Sequence, residues 1–104
     1  MTVKILRWII QRDPQWNYNK LIFRLEVQNI NKDEWHWQAM LMFTSEQIID
    51  ILNEFDVDTL NDLVDLKAEV LPGRHFTSAP HGIRSIGSKN DFIITLNQDI
   101  ESLW

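Results

Sequence analysis

The most informative stretch of this chain for its fold is Trp35-His36-Trp37-Gln38-Ala39-Met40-Leu41-Met42-Phe43. Side chains on a β-strand alternate between two faces. One face carries Trp35, Trp37, Ala39, Leu41 and Phe43, and the other carries His36, Gln38, Met40 and Met42. The first face is apolar throughout, and the second becomes apolar in its later half. This pattern predicts a strand near the middle of a sheet, covered on one side and partly covered on the other.

Residues 3–12 and 20–28 predict two earlier strands that form a hairpin. The second of them alternates cleanly, with Leu21, Phe23, Leu25 and Val27 on one face and Arg24, Glu26 and Gln28 on the other. In residues 3–12 both alternating sets contain large apolar side chains, so the alternation does not show which face of the strand is buried. Trp8 lies in the apolar strand 3–12, and Trp37 lies in the strand 35–43, so both are expected in the core.

The run Thr44-Ser45-Glu46-Gln47 predicts the start of an α-helix. Thr44 and Gln47 have the spacing of a capping box, in which a hydroxyl and an amide satisfy unpaired backbone groups of the first turn. The apolar positions with helical spacing are Ile48, Leu52 and Phe55, and the outward-facing positions are Asp50, Asn53 and Glu54. Asp58 is expected to cap a second short helix. That helix carries Leu60, Leu63 and Val64.

The remaining residues predict shorter elements. Residues 66–71 alternate as a fourth strand. Residues 72–90 contain all three glycines of the chain and predict a long loop or an irregular hairpin, with a short strand at 83–86. Residues 91–96 predict a last strand. The whole pattern indicates a single α+β domain over residues 1–104. It predicts an antiparallel sheet of about five strands, with a partial barrel as the alternative, and one main helix packed across it.

The composition excludes several classes of protein. Of the 104 residues, 44% are hydrophobic and 24% are charged, which is ordinary for a globular domain. The absence of cysteine excludes disulfides and thiolate metal sites. No apolar run approaches the roughly 18 residues of a membrane span. Lys4 and Arg7 interrupt the N-terminal apolar run, which therefore lacks the long apolar region of a signal peptide. We therefore expect a cytoplasmic protein with no membrane partner, no cofactor and no metal.

The net charge of −5 is unevenly distributed along the chain. Residues 44–71, here called the acidic segment, contain eight acidic residues and one lysine, for a net charge of −7. Residues 1–43 carry +2, and residues 72–104 are balanced. An acidic protein is a poor general binder of nucleic acid, because that affinity comes mainly from neutralised phosphates. The acidic segment therefore favours a partner with a basic surface.

A resemblance to a group of known proteins rests on two stretches. They are Phe55-Asp56-Val57-Asp58-Thr59-Leu60-Asn61-Asp62-Leu63-Val64-Asp65-Leu66-Lys67-Ala68-Glu69-Val70, and Ile83-Arg84-Ser85-Ile86-Gly87 before Asp91-Phe92. The order resembles small uncharacterised proteins encoded by bacteriophages and prophages, in which a Val-Asp, an Asp-Leu, a lysine-containing strand and an Ile-Gly before an aromatic recur. It covers roughly the C-terminal half. Those relatives tend to be glycine-rich in their early half, and this chain is not. The resemblance implies a phage or mobile-element origin and little about activity.

The leading hypothesis is a non-enzymatic protein that occupies a host protein, such as a component of host defence or nucleic-acid handling. Like charges at i, i+4 repel, and no lysine offsets them on the predicted helix, which favours a binding surface. The candidate partner-binding residues are Asp50, Glu54, Asp58, Asp62, Trp16, Tyr18, Arg74 and Arg84. A homodimer is also expected, because uncovered sheet edges tend to pair.

Two alternatives belong to other functional classes. An OB-like protein that binds single-stranded nucleic acid would use Arg24, Arg74, Arg84 and Lys89 with Trp16 or Tyr18. A small hydrolase would use the loop that carries His75, Ser78 and His81. The spacing of those histidines matches no metal motif, and no acidic residue lies nearby in sequence to orient them, so the competing interpretation is a solvated loop.

Overall fold

The computed structural model describes residues 1–12, 21–30, 38–71 and 80–96. Its elements are β1 (Thr2–Arg12), β2 (Leu21–Asn29), β3 (Gln38–Thr44), α1 (Ser45–Glu54), a 3₁₀ helix (Leu60–Leu63), β4 (Lys67–Leu71), β5 (Gly82–Ser85) and β6 (Ile93–Ile94). Every strand pair is antiparallel. The α+β class is therefore confirmed.

The sheet that the described residues form has six strands in the order β3-β2-β1-β4-β5-β6, and it is open. The expected count of about five becomes six, because the short strand expected at 83–86 forms as β5 and pairs with both β4 and β6. The partial barrel was wrong, since β3 and β6 do not pair with each other in the described part of the chain. One backbone hydrogen bond, from Leu96 N to Met42 O at 2.8 Å, links the residues after β6 to β3.

The position of β3 corrects the expectation drawn from the opening stretch. β3 is the first strand in the sheet order, with β2 as its strand neighbour, so it is not near the middle. Leu41 and Phe43 are fully buried as expected, whereas residues 35–37 lie outside the described residues. Alternation reports which faces of a strand are covered, and it carries no information about how many strands flank it.

A β-bulge settles the buried face of β1. The pairing with β2 runs in register from Val3 to Ile5, shifts at Leu6, and continues from Arg7 opposite Glu26. A bulge adds one residue to one strand, so the side chains beyond it change faces. Val3 and Ile5 therefore share the core face with Trp8, and each alternating set of the sequence supplies half of it.

Helix α1 packs across the same face of the sheet. Ile48 and Ile51 are buried in one cluster with strand residues such as Phe43, whereas Ile49 is 61% exposed. The predicted capping box is confirmed: Gln47 N donates to Thr44 Oγ1 at 3.1 Å, and Thr44 N donates to Gln47 Oε1 at 2.9 Å. Gln47 also donates through Nε2 to the carbonyl of Ile94 at 2.6 Å, which ties the start of α1 to β6.

The short helix after α1 is capped by a different residue from the one expected. Its N-cap is Thr59, whose Oγ1 accepts a hydrogen bond from Asp62 N at 3.3 Å. The cap expected at Asp58 was therefore wrong by one residue. Both side chains can cap a helix, and sequence propensity separates them poorly. The shift leaves Asp58 exposed.

Candidate functional site

Six carboxylates of the acidic segment are exposed to solvent, and we call this set the acidic surface. Its members are Glu46, Asp50, Asp56, Asp58, Asp62 and Asp65. They occupy α1, the 3₁₀ helix and the connections on either side of it. Asp50, Asp58 and Asp62 were named as candidates from the sequence. The other three belong to the acidic segment for which the sequence favours a basic partner, but they were not among the candidate contact residues.

The turn at the end of α1 contributes one carboxylate of the acidic surface, that of Asp56. Asp56 has a left-handed backbone with φ of 54°. Its N–H donates to Asn53 O at 3.2 Å, and Val57 N donates to Leu52 O at 3.0 Å. This pair of bonds is a Schellman motif, which usually places glycine in the left-handed position. Aspartate tolerates that conformation better than most residues, so the turn adds an exposed carboxylate.

The described part of the chain offers the acidic surface little compensating charge. Among the described residues, its one ion pair joins Lys4 Nζ to Asp65 Oδ1 at 3.4 Å. The Asp65 side chain remains 75% exposed in that pair, so solvent screens the interaction strongly. Within the described residues, no group of three or more His, Cys, Asp or Glu side chains could hold a metal ion.

Glu54 departs from its expected role as an outward-facing residue. It is partly buried, and its Oε2 accepts from Ser85 N at 2.9 Å and from Ser85 Oγ at 2.8 Å. Its Oε1 accepts from Asn90 Nδ2 at 2.8 Å. The carboxylate thus joins the end of α1 to β5 and to the turn after it. We call Glu54, Ser85 and Asn90 the Glu54 cluster.

The hydrogen bonds of this cluster determine the protonation of Glu54. Partial burial raises the pKa of its carboxyl, but the donors outweigh that effect and lower the pKa from 4.5 to about 2. The donors are the Asn90 amide, the backbone and hydroxyl of Ser85, and the Ser88 hydroxyl. A carboxylate that accepts several hydrogen bonds is stabilised in its charged form. Glu54 is therefore a structural anion, already occupied by groups of its own chain.

Arg84 is also engaged inside the chain. Its Nε donates to Glu69 Oε2 at 2.8 Å, and its Nη1 donates to Asn90 O at 3.1 Å. The guanidinium lies 4.1 Å from the centre of the Phe92 ring. The hydrogen bond from Arg84 lowers the pKa of Glu69. These contacts hold the guanidinium in place and disfavour its use as an open cation for a partner.

Other predicted positions separate into two groups. Trp8 is partly buried against the core, and its Nε1 donates to Asn61 Oδ1 at 2.9 Å. His81 is buried at 6% exposure, and its backbone bonds to Leu71 O and Thr95 N, which corrects the expectation of a solvated loop around it. The candidates that lie outside the described residues are Trp16, Tyr18, Trp37, Arg74, His75 and Ser78.

No protein-family model, curated protein sequence or solved structure matches the chain. The phage resemblance therefore stays a prediction. Among the described residues, no helix is both long enough and apolar enough to cross a membrane.

Proposed function

We propose that this chain is a non-enzymatic binding protein that occupies a basic surface of a host protein. The observation that supports this proposal is the acidic surface, with six exposed carboxylates and a single ion pair among the described residues. Neighbouring like charges repel in the isolated chain, and a cationic partner would relieve that repulsion. Glu54 and Arg84 leave the proposed contact set, because groups of their own chain occupy both of them.

The proposal includes a phage or mobile-element origin and a cytoplasmic location, both of which rest on the sequence pattern alone. Host proteins that handle nucleic acid are suitable partners for the acidic surface, because they present basic grooves to phosphates. A protein that offers carboxylates at its surface competes for such a groove. A component of host defence with a basic groove belongs to the same chemical class.

An affinity capture from bacterial lysate tests the proposal when two variants with the same charge change are compared. Asp58→Lys reverses a charge in the acidic surface, and Asp91→Lys reverses an exposed acid outside it. The unmodified chain should enrich a basic protein, and Asp58→Lys should enrich less of it at low salt. The difference should shrink at high salt, because the screening length falls from about 10 Å at 0.1 M to about 3 Å at 1 M.

Two results would contradict the proposal. Equal capture by the Asp58→Lys and Asp91→Lys chains would return the carboxylates to a solubilising role. Nuclease treatment of the lysate excludes bridging by nucleic acid, and a separate anisotropy titration covers direct binding. We expect no complex with single- or double-stranded nucleic acid tighter than about micromolar at physiological salt. A tight, salt-dependent complex would favour the nucleic-acid-binding alternative.

A further inference from the structure

Among the described residues, no strand pairs with the second half of β1 on the side away from β2. β4 pairs with β1 from Thr2 to Lys4, and Ile5 continues the pairing through Leu66 O at 2.9 Å and Asp65 N at 2.8 Å. Asp65 then adopts a left-handed backbone with φ of 72°, and the chain before it forms the 3₁₀ helix. Beyond Ile5, the described strands pair with β1 on its β2 side alone.

The register identifies which backbone groups face this edge. Ile5 bonds toward β4, and the bulge at Leu6 reverses the parity of the residues that follow. Arg7, Ile9 and Gln11 therefore direct their N–H and C=O groups toward β2. The hydrogen bonding of β3 is consistent with this assignment. Met42 lies opposite Arg24 of β2, and its carbonyl accepts from Leu96 N, so it points away from β2. The outward-directed set is Trp8, Ile10 and Arg12.

We propose that this edge pairs with the same edge of a second copy of the chain. The three outward-directed residues are symmetric about Ile10, so a two-fold axis there aligns two β1 strands antiparallel. Ile10 then faces Ile10 of the second copy, and Trp8 of each copy faces Arg12 of the other. All three residues on each strand form backbone hydrogen bonds in this register. Two-fold pairing is the commonest closed arrangement of identical chains.

Charge and apolar contacts favour a second copy over an unrelated extended peptide. Arg12 is exposed and forms no ion pair with any described residue. In the proposed register it lies against the Trp8 ring of the other copy, where a cation and an aromatic face attract each other. The bond from Trp8 Nε1 to Asn61 Oδ1 holds the indole in place on that copy. Ile10 is 41% exposed and would be covered.

Sedimentation equilibrium with two lysine variants tests the edge. Ile10→Lys and Ile94→Lys replace isoleucines of the same 41% exposure, one at the proposed axis and one on β6. The unmodified chain should dimerise within the micromolar to millimolar range. Ile10→Lys should weaken the dimer by at least about tenfold, because two lysines then face each other across the axis. Ile94→Lys should dimerise like the unmodified chain.

Amide hydrogen exchange on the unmodified chain tests the same edge and needs no substitution. The Ile10 amide should exchange more slowly as the concentration rises, whereas the Gln11 amide, bonded to β2, should not change. A mass of 12.4 kDa at every concentration would overturn the proposal. So would a dimer that Ile94→Lys weakens as much as Ile10→Lys, or Ile10 exchange that is independent of concentration.

Discussion

Glu54 and Asp50 lie one turn apart on the same helix, yet Glu54 stabilises the fold and Asp50 faces solvent. Asp50 is exposed and belongs to the acidic surface, whereas Glu54 is held by the backbone and hydroxyl of Ser85 and the amide of Asn90. Both are carboxylates in one acidic segment, and both were predicted to face outward. Hydrogen-bond donors from distant parts of the chain therefore decide whether an acid stabilises the fold or remains available to a partner.

Removing the Glu54 carboxylate should have the largest effect on stability. Glu54→Ala leaves the N–H of Ser85 and the amide of Asn90 without their acceptor. A hydrogen bond to a charged group contributes about 1.5–3 kcal/mol to stability. We therefore expect Glu54→Ala to lower the free energy of unfolding by about 2 kcal/mol. Urea denaturation measures it. The matched control Asp50→Ala should stay within about 0.5 kcal/mol, and equal losses in both variants would contradict the distinction.

Acid should weaken the Glu54 cluster in a defined range of pH. The pKa of Glu54 is lowered in the fold from 4.5 to about 2, so its stabilising contribution is complete above pH 4.5 and is lost as the pH falls toward 2. Unfolding curves over this range should show a smaller loss of stability for Glu54→Gln than for the unmodified chain. The slope that remains includes Glu69, whose pKa is lowered by Arg84 in the same direction. An unchanged slope would show that Glu54 does not hold its charge in this way.

Replacing the left-handed aspartate should stabilise the protein slightly. Asp56 occupies the position of a Schellman motif that glycine prefers, with φ of 54°. Asp56→Gly relieves the steric cost of the side chain, and we expect a gain of about 0.5 kcal/mol. Thermal unfolding of this variant beside Asp58→Gly, a change at a neighbouring exposed position, measures the difference. A loss of stability in Asp56→Gly would show that the Asp56 side chain contributes more than its backbone costs.

Neutralising the acidic surface should affect stability least. Asp62→Asn retains the size of the side chain and the hydrogen bond from the backbone N–H of residue 62 to Thr59 Oγ1. The free energy of unfolding should therefore stay within about 0.5 kcal/mol of that of the unmodified chain. A small gain would fit relief of repulsion between neighbouring carboxylates. A large loss in urea denaturation would place Asp62 beside Glu54 as a structural anion and remove it from the proposed contact surface.

Local patterns account for the elements that the sequence predicted well. The alternation in residues 20–28 placed Leu25 and Val27 in the core, and the spacing of Thr44 and Gln47 gave the capping box. Each depends on residues close together in the chain, so its physical cause can be recognised without knowing the rest of the fold. The amount and location of negative charge are likewise properties of the sequence alone.

The tertiary structure decided the rest, because the deciding contacts join residues that are distant in sequence. Ser85 lies 31 residues from Glu54, and no local sequence pattern predicts that Ser85 will donate to this carboxylate. The bulge at Leu6 depends on how β2 pairs with β1, since both alternating sets of β1 are apolar enough to be buried. The sequence by itself determined which side chains favour water, strand or helix. The path of the chain determined which carboxylates accept hydrogen bonds and which edge of β1 has no strand partner among the described residues.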